Sequence, residues 1–262
     1  MDQSQSADQL GTPAPARQLI ANPVPVGVAG FSLTTFLLGL YNSGAWHDPN
    51  STTHPLNALW IYVILGLAAF YGGLTQFIAG WFSLRRGDVF QAAFMTSYGA
   101  FWWSLDFIFF MFLAPKGGIF GDPSWKGALA EAGVSGKAAT VPAATSFYHA
   151  ATIFLIGWTV ITVVFFIATL FTNWVVAGVF GWFVFTLIVA DIAFSGGPTA
   201  TGAGHFAGWC EIILGCLGWY VVLSEMVNDL AGRAIFPFPL TPLNPAKRAA
   251  KGSGTLSPAG AN

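Results

Sequence analysis

Six apolar stretches run through the chain, at about residues 24–44, 56–84, 89–114, 147–171, 174–194 and 205–231. Each is near or above the roughly 20 residues that a helix needs to cross a hydrocarbon layer about 30 Å thick. Within such a layer every backbone N–H and C=O must be bonded inside its own segment, so stretches of this kind fold as α-helices. The rest of the composition agrees. Only 8% of the 262 residues are charged, against about 25% in soluble domains, and the mean hydropathy is +0.63. So little charge cannot cover a globule with a solvated surface, and a soluble fold would expose apolar patches larger than monomers tolerate. The expectation is an all-α integral membrane protein with six transmembrane helices in the lipid bilayer.

Polar punctuation separates the stretches. The first link holds His47, Asp48, Pro49 and Asn50, and the second is the tight turn Arg85–Arg86–Gly87–Asp88. The third, residues 115–146, is the longest and is rich in Gly, Pro and Lys. Thr172–Asn173 is a short break that makes a hairpin of the fourth and fifth spans, and the last link opens with Ser195–Gly196–Gly197–Pro198. Residues 1–18 and 232–262 read as a flexible N-terminal segment and tail around a transmembrane domain at 19–231. Residues 1–18 are polar and show no cleavable signal.

An even number of spans places both termini on one side. That side then carries Arg17, Arg85, Arg86, Arg233, Lys247, Arg248 and Lys251, against Lys116, Lys126 and Lys137 on the other. The excess of basic residues predicts that both termini are cytoplasmic.

Several functions are disfavoured. A net charge of −1 offers no basic surface for nucleic acid. The four histidines are scattered without ligand spacing, so neither a metal-dependent membrane enzyme nor a cofactor site is expected. All five lysines lie in links or the tail, which leaves no lysine within a helix for a retinal Schiff base. Cys210 and Cys216, six apart on a helix, point to different sides and read as ordinary small residues. The many glycines inside the spans, Gly66, Gly72, Gly73 and Gly80 in the second and Gly204, Gly208, Gly215 and Gly218 in the sixth, read as sites of close helix approach.

Four segments carry chemistry. Asn22–Pro23–Val24–Pro25–Val26–Gly27–Val28 opens the first span with an expected Asn22 cap, Pro in the first turn, and free N–H groups that could face an anion. Tyr71 to Gly80 places the amide of Gln76 in an apolar helix, where it either faces a wet path or staples two helices. Ser97–Tyr98–Gly99–Ala100–Phe101–Trp102 lies in the third span. His205 opens the sixth, which continues through Tyr220 to Glu225 and Asn228.

Together these runs resemble the acetate uptake transporter (succinate–acetate permease) family. Its Asn-Pro-x-Pro-Leu-Gly-Leu opening stands here with Val26 and Val28 at the two Leu positions. Its Tyr/Phe-Gly-Gly-x-x-Gln-x-x-Ala-Gly pattern matches residues 71–80, and its Ser-Tyr-Gly-x-Phe-Trp pattern matches residues 97–102. The likeness extends over about residues 20–231. It implies a homo-oligomer, typically a hexamer, in which each subunit conducts acetate or related small carboxylates by proton symport or as an anion channel. It also implies an aromatic constriction at Phe31 and Tyr98, completed by Phe183 where the family usually has Leu. The candidate substrate-contacting residues are therefore Asn22, Phe31, Tyr71, Gln76, Tyr98, Phe183, His205, Tyr220, Glu225 and Asn228.

Depth offers an independent argument. Phe31, Tyr98 and Phe183 each lie nine residues from the cytoplasmic start of their span (Asn22, Val89 and Trp174), about 13 Å in at 1.5 Å per residue. A Phe in place of Leu predicts a narrower gate that disfavours dicarboxylates. Asp106, Asp191, Glu211 and Glu225 are intramembrane carboxylates and so candidates for transport or proton coupling. Of these, Glu225 alone lies in a family-like stretch. His205 either attracts a carboxylate at the outer mouth or is structural. A membrane sensor that binds acetate without net flux is the alternative function.

Overall fold

The computed structural model describes residues 20–45, 60–113, 137–197 and 200–236. All six expected spans are helical. The first is α1 (Val24–Ser43). The second is built from α2 (Trp60–Leu67), a π-helical segment (Ala68–Thr75) and α3 (Gln76–Arg85), which follow one another without a break. Then come α4 (Val89–Leu113), α5 (Lys137–Thr169), α6 (Trp174–Ser195) and α7 (Thr201–Ala231). The spans in α1, α5, α6, α7 and Val63–Arg85 are long and apolar enough to cross a membrane on their own terms. The 25 residues of α4 also suffice in length. Its inner face buries Met95 and Tyr98, each 0% exposed, while Gln91, Ser97 and Asp106 are half-buried and Thr96 donates to Ala92 O of its own helix at 2.7 Å.

Three boundaries differ from expectation. Helix α5 begins at Lys137, ten residues before the apolar stretch, so part of the long third link is helical. Alanines at 138 and 139 favour helix there, and 33 residues span about 50 Å, well beyond the hydrocarbon layer. Helix α7 starts at Thr201 rather than His205. The cap of α1 is Pro23, not Asn22. Asn22 stands one residue earlier and accepts from Val24 N at 3.2 Å. The first link, residues 114–136 and both chain ends beyond 20 and 236, with the expectations placed on them, lie outside the described residues.

The turns are built by their polar residues. Gly87 adopts φ 76°, which only glycine takes freely, and Asp88 Oδ1 accepts from Gln91 N at 3.0 Å to start α4. Asn173 caps α6 by accepting from Val176 N at 3.0 Å. These two turns lie on the side where α1 starts and α7 ends. We call this the turn side, and the opposite face, where α1 ends and α7 starts, the loop side.

Helices α1 and α7 form the most extensive pair, α5 packs mainly on α6, and α3 packs on α4. Glycines make the first of these contacts possible. A Cβ on Gly215 would lie 2.7 Å from the Phe36 Cβ and 2.9 Å from the Ser32 carbonyl, and one on Gly39 2.8 Å from the Gly208 carbonyl. Gly66 and Gly204 have nothing within 4 Å, so close approach does not account for them. Cys210 is buried and Cys216 exposed, on different sides as expected.

The π segment has no signature that periodicity reveals. Its wider turn presses the Tyr71 carbonyl against Gly30 of α1. A carbonyl displaced from regular helical pairing, Ala69 O, accepts the Trp103 indole N–H at 2.9 Å, and Thr75 donates to Phe70 O at 2.9 Å. Side-chain donors thus restore backbone bonds that the altered register disturbs.

Candidate functional site

A layer of aromatic rings crosses the middle of the bundle. The Phe31 centroid lies 5.1 Å from Phe183 and 5.9 Å from Tyr98, and Tyr98 and Phe183 are 4.8 Å apart. Three residues from three helices, expected at one depth, therefore meet in space. Phe94 joins them 5.3 Å from Tyr98. Edge-on and tilted contacts of this kind are favourable beyond mere burial. The Tyr98 hydroxyl donates to Thr162 Oγ1, whose own proton goes to Trp158 O at 2.6 Å. This bond anchors the ring layer to α5.

Cavities lie on both faces of the layer. On the loop side is a cavity of about 90 Å³, and on the turn side a smaller one of about 40 Å³. Phe31 and Phe183 line both, so their two rings are the wall between them. Tyr98 is fully buried behind that wall, buttressing it rather than lining a cavity.

The larger cavity is mostly apolar, with a few polar groups that converge on it. Thr35 of α1 and Trp102 of α4 both line it, and their Oγ1 and Nε1 atoms are buried without a hydrogen-bond partner among the described residues. Orphaned buried donors are costly and rare, and here they lie in the wall of a space large enough to hold water. Glu211 of α7 and Asn42 of α1 also line it, the Asn42 amide donating to Glu211 Oε2 at 2.8 Å, as do Tyr41 and Thr186. A matching pair ties the same helices on the turn side, where Asn22 Nδ2 donates to Glu225 Oε2 at 3.0 Å.

The other candidates are spread more widely. Gln76 is 0% exposed, and neither its Oε1 nor its Nε2 has a partner among the described residues. Tyr71 is half-buried on the π segment, lining neither cavity. Tyr220 is half-buried on α7 and likewise lines neither. His205 is exposed at the loop-side start of α7, packed by Gly44 at the end of α1. Asn228 is engaged structurally. It accepts from Ile235 N at 2.7 Å and Phe236 N at 3.0 Å and donates to Phe236 O at 3.2 Å, tying down the chain that follows α7. Asp191 accepts from Thr159 at 2.8 Å across the α5–α6 hairpin, and Asp106 lines neither cavity. Sequence reasoning missed Thr35, Asn42 and Trp102. Trp102 stood inside a recognised motif, whereas the other two carry no local signal.

The buried amide of Gln76 leads to an expected result. An unpartnered buried amide costs about 1–3 kcal/mol per polar atom, and an apolar replacement of similar size removes that cost. Gln76→Leu should leave thermal stability in detergent unchanged or higher while lowering solute flux. A sharp fall in stability would show instead that the amide staples two helices.

A multi-pass helical bundle whose two internal cavities abut across one ring layer is a membrane transport protein. The chain belongs to the GPR1/FUN34/yaaH family, which it matches over residues 6–244. It is 31% identical over 218 residues to the succinate-acetate/proton symporter SatP of Escherichia coli K12, covering 83% of this chain and 95% of that protein. It is 30% identical over 241 residues to acetate permease A of Emericella nidulans, covering 87% and 70%. The solved structure of the bacterial acetate channel SatP matches with a TM-score of 0.61 at 28% identity, covering 83% of this chain and 98% of that one.

Proposed function

We propose that this chain carries acetate and related small carboxylates, succinate among them, across a membrane through a pathway within each subunit. Its termini face the cytoplasm, so the loop side faces outward, and its subunits associate as a homo-oligomer, a hexamer. The observation that supports the reading most directly is the abutment of two cavities at Phe31 and Phe183.

The chemistry fits a small amphipathic solute. Apolar walls accept the methyl or methylene groups, while the Trp102 N–H and the Thr35 hydroxyl are placed to bond oxygen. A carboxylate that shed its water in such a space without these bonds would face a prohibitive desolvation cost. The ring layer then acts as the barrier, passing a solute only when Phe31 and Phe183 move aside. Asn22, Glu225 and Gln76 belong to the path or its immediate support in this reading.

The test is labelled acetate uptake into proteoliposomes of the purified chain, compared with protein-free vesicles. Saturable uptake above the protein-free background is expected, and Tyr98→Ala should change it severalfold because the buttress of the ring layer is gone. Uptake indistinguishable from empty vesicles in a folded preparation would reject carriage of acetate.

A further inference from the structure

We propose that Glu211 is the residue that couples proton movement to carboxylate passage in this chain. The inference rests on the carboxylate-transport reading above and assigns it a residue.

Among the described residues Glu211 is the carboxylate that lines the larger cavity, and no described Lys, Arg or His lines it. Its Oε2 is occupied by the Asn42 amide at 2.8 Å, a neutral donor that cannot cancel a charge. The other oxygen, Oε1, is left for a proton and for a visitor. A fixed negative charge would repel the very anions that the Trp102 and Thr35 donors are placed to receive. A protonated Glu211 removes that conflict and supplies a further donor. Of the titratable groups around it, Tyr41 lines the cavity from α1, Cys210 precedes it on α7, and His205 stands at the exposed start of the same helix. Among the described residues, the cavity faces of α2, α4, α5 and α6 bring no ionisable side chain.

The step is a simple exchange. Protonated Glu211 and a substrate carboxylate become ionised Glu211 and the neutral substrate acid, the proton passing from Oε1 to a substrate oxygen. The neutral acid crosses between Phe31 and Phe183 more cheaply than the anion does, because less hydration is lost. The Asn42 amide stabilises the carboxylate left behind, and water from the loop side returns a proton to Oε1. Net movement is one proton with one monocarboxylate.

The experiment compares the full-length wild type, Glu211→Gln and Glu211→Asp in proteoliposomes. External pH and a potassium diffusion potential are varied independently, and protein-free vesicles are subtracted. Wild-type acetate flux should rise severalfold on external acidification and ignore the imposed voltage. Glu211→Gln should lose the acid stimulation and respond to voltage, whereas Glu211→Asp, which keeps an exchangeable proton, should retain the stimulation. Glu211→Gln with the wild-type pH and voltage profile would overturn the proposal. Infrared spectroscopy supplies a readout that needs no flux. The wild type minus Glu211→Gln difference spectrum at neutral pH should show a carboxylic-acid C=O band, and its absence would overturn the assignment. A wild type that carries no acetate would reject the transport reading, and the infrared band would still decide whether Glu211 holds the proton.

Discussion

Replacing Phe183 with leucine should raise succinate flux relative to acetate flux on the order of tenfold. Phe183 is 6% exposed, lies within 5.1 Å of Phe31 and 4.8 Å of Tyr98, and lines both cavities. Leucine keeps the apolar character but removes the flat ring from the wall. A solute with two carboxylates is longer than acetate and needs a wider opening, so the barrier it meets should fall further. A differential fall of about 1.4 kcal/mol is a tenfold change in rate. The substitution also leaves a small void, with a stability cost of about 1–2 kcal/mol for lost apolar contact. Parallel uptake of the two labelled substrates before and after the change decides the matter. An unchanged ratio would place size selection somewhere other than this ring.

Gly215→Val should strongly destabilise the folded bundle. The α1–α7 seam leaves no room for even a methyl group, since a Cβ would meet the Phe36 Cβ at 2.7 Å, the Ser32 carbonyl at 2.9 Å and the Phe36 Cα at 3.1 Å. Backbone and Cβ atoms cannot rotate away, so α1 itself would have to shift. Overpacking usually costs about 1–3 kcal/mol, and a branched side chain against backbone lies at or beyond the upper end. Set against a total stability of about 5–15 kcal/mol, a loss of monodisperse protein in size-exclusion chromatography, or a melting point lowered by several degrees, is the expected reading. Gly66→Ala is the control, because nothing lies within 4 Å of that position. Alanine in a helix interior gains about 0.5–1 kcal/mol over glycine. Equal behaviour of the two variants would mean that close packing does not hold the seam.

Much of this fold was legible because the bilayer imposes a length and a polarity on each span. Eight helix starts or ends fall within a residue of their apolar stretch, at Val24, Ser43, Arg85, Val89, Leu113, Trp174, Ser195 and Ala231. The start of α5 did not, because helix continues past the hydrocarbon edge into residues whose composition suggests a link. The ring layer was legible for a related reason. Equal distances from helix ends place Phe31, Tyr98 and Phe183 at one depth, and parallel registers then bring them together. The π segment stayed hidden because hydrogen bonds that reach one residue further leave no mark in hydropathy. The Asn42–Glu211 pair stayed hidden too. Its members stand 169 residues apart, and each looks locally like a stray polar group in an apolar helix. Partnership across such a distance is a property of packing and not of pattern.

That same long reach bears on how the protein is made. The most extensive helix contact joins α1 to α7, and four further spans are made between them. During synthesis the α1 face of Val28, Ser32, Phe36 and Gly39, which the α7 glycines cover, must wait in the lipid while the spans between are inserted. Contacts so distant along the chain form slowly and leave intermediates exposed. A chain that stops before α7 is therefore no smaller version of the same bundle. It lacks the partner on which α1 depends for its most extensive contact.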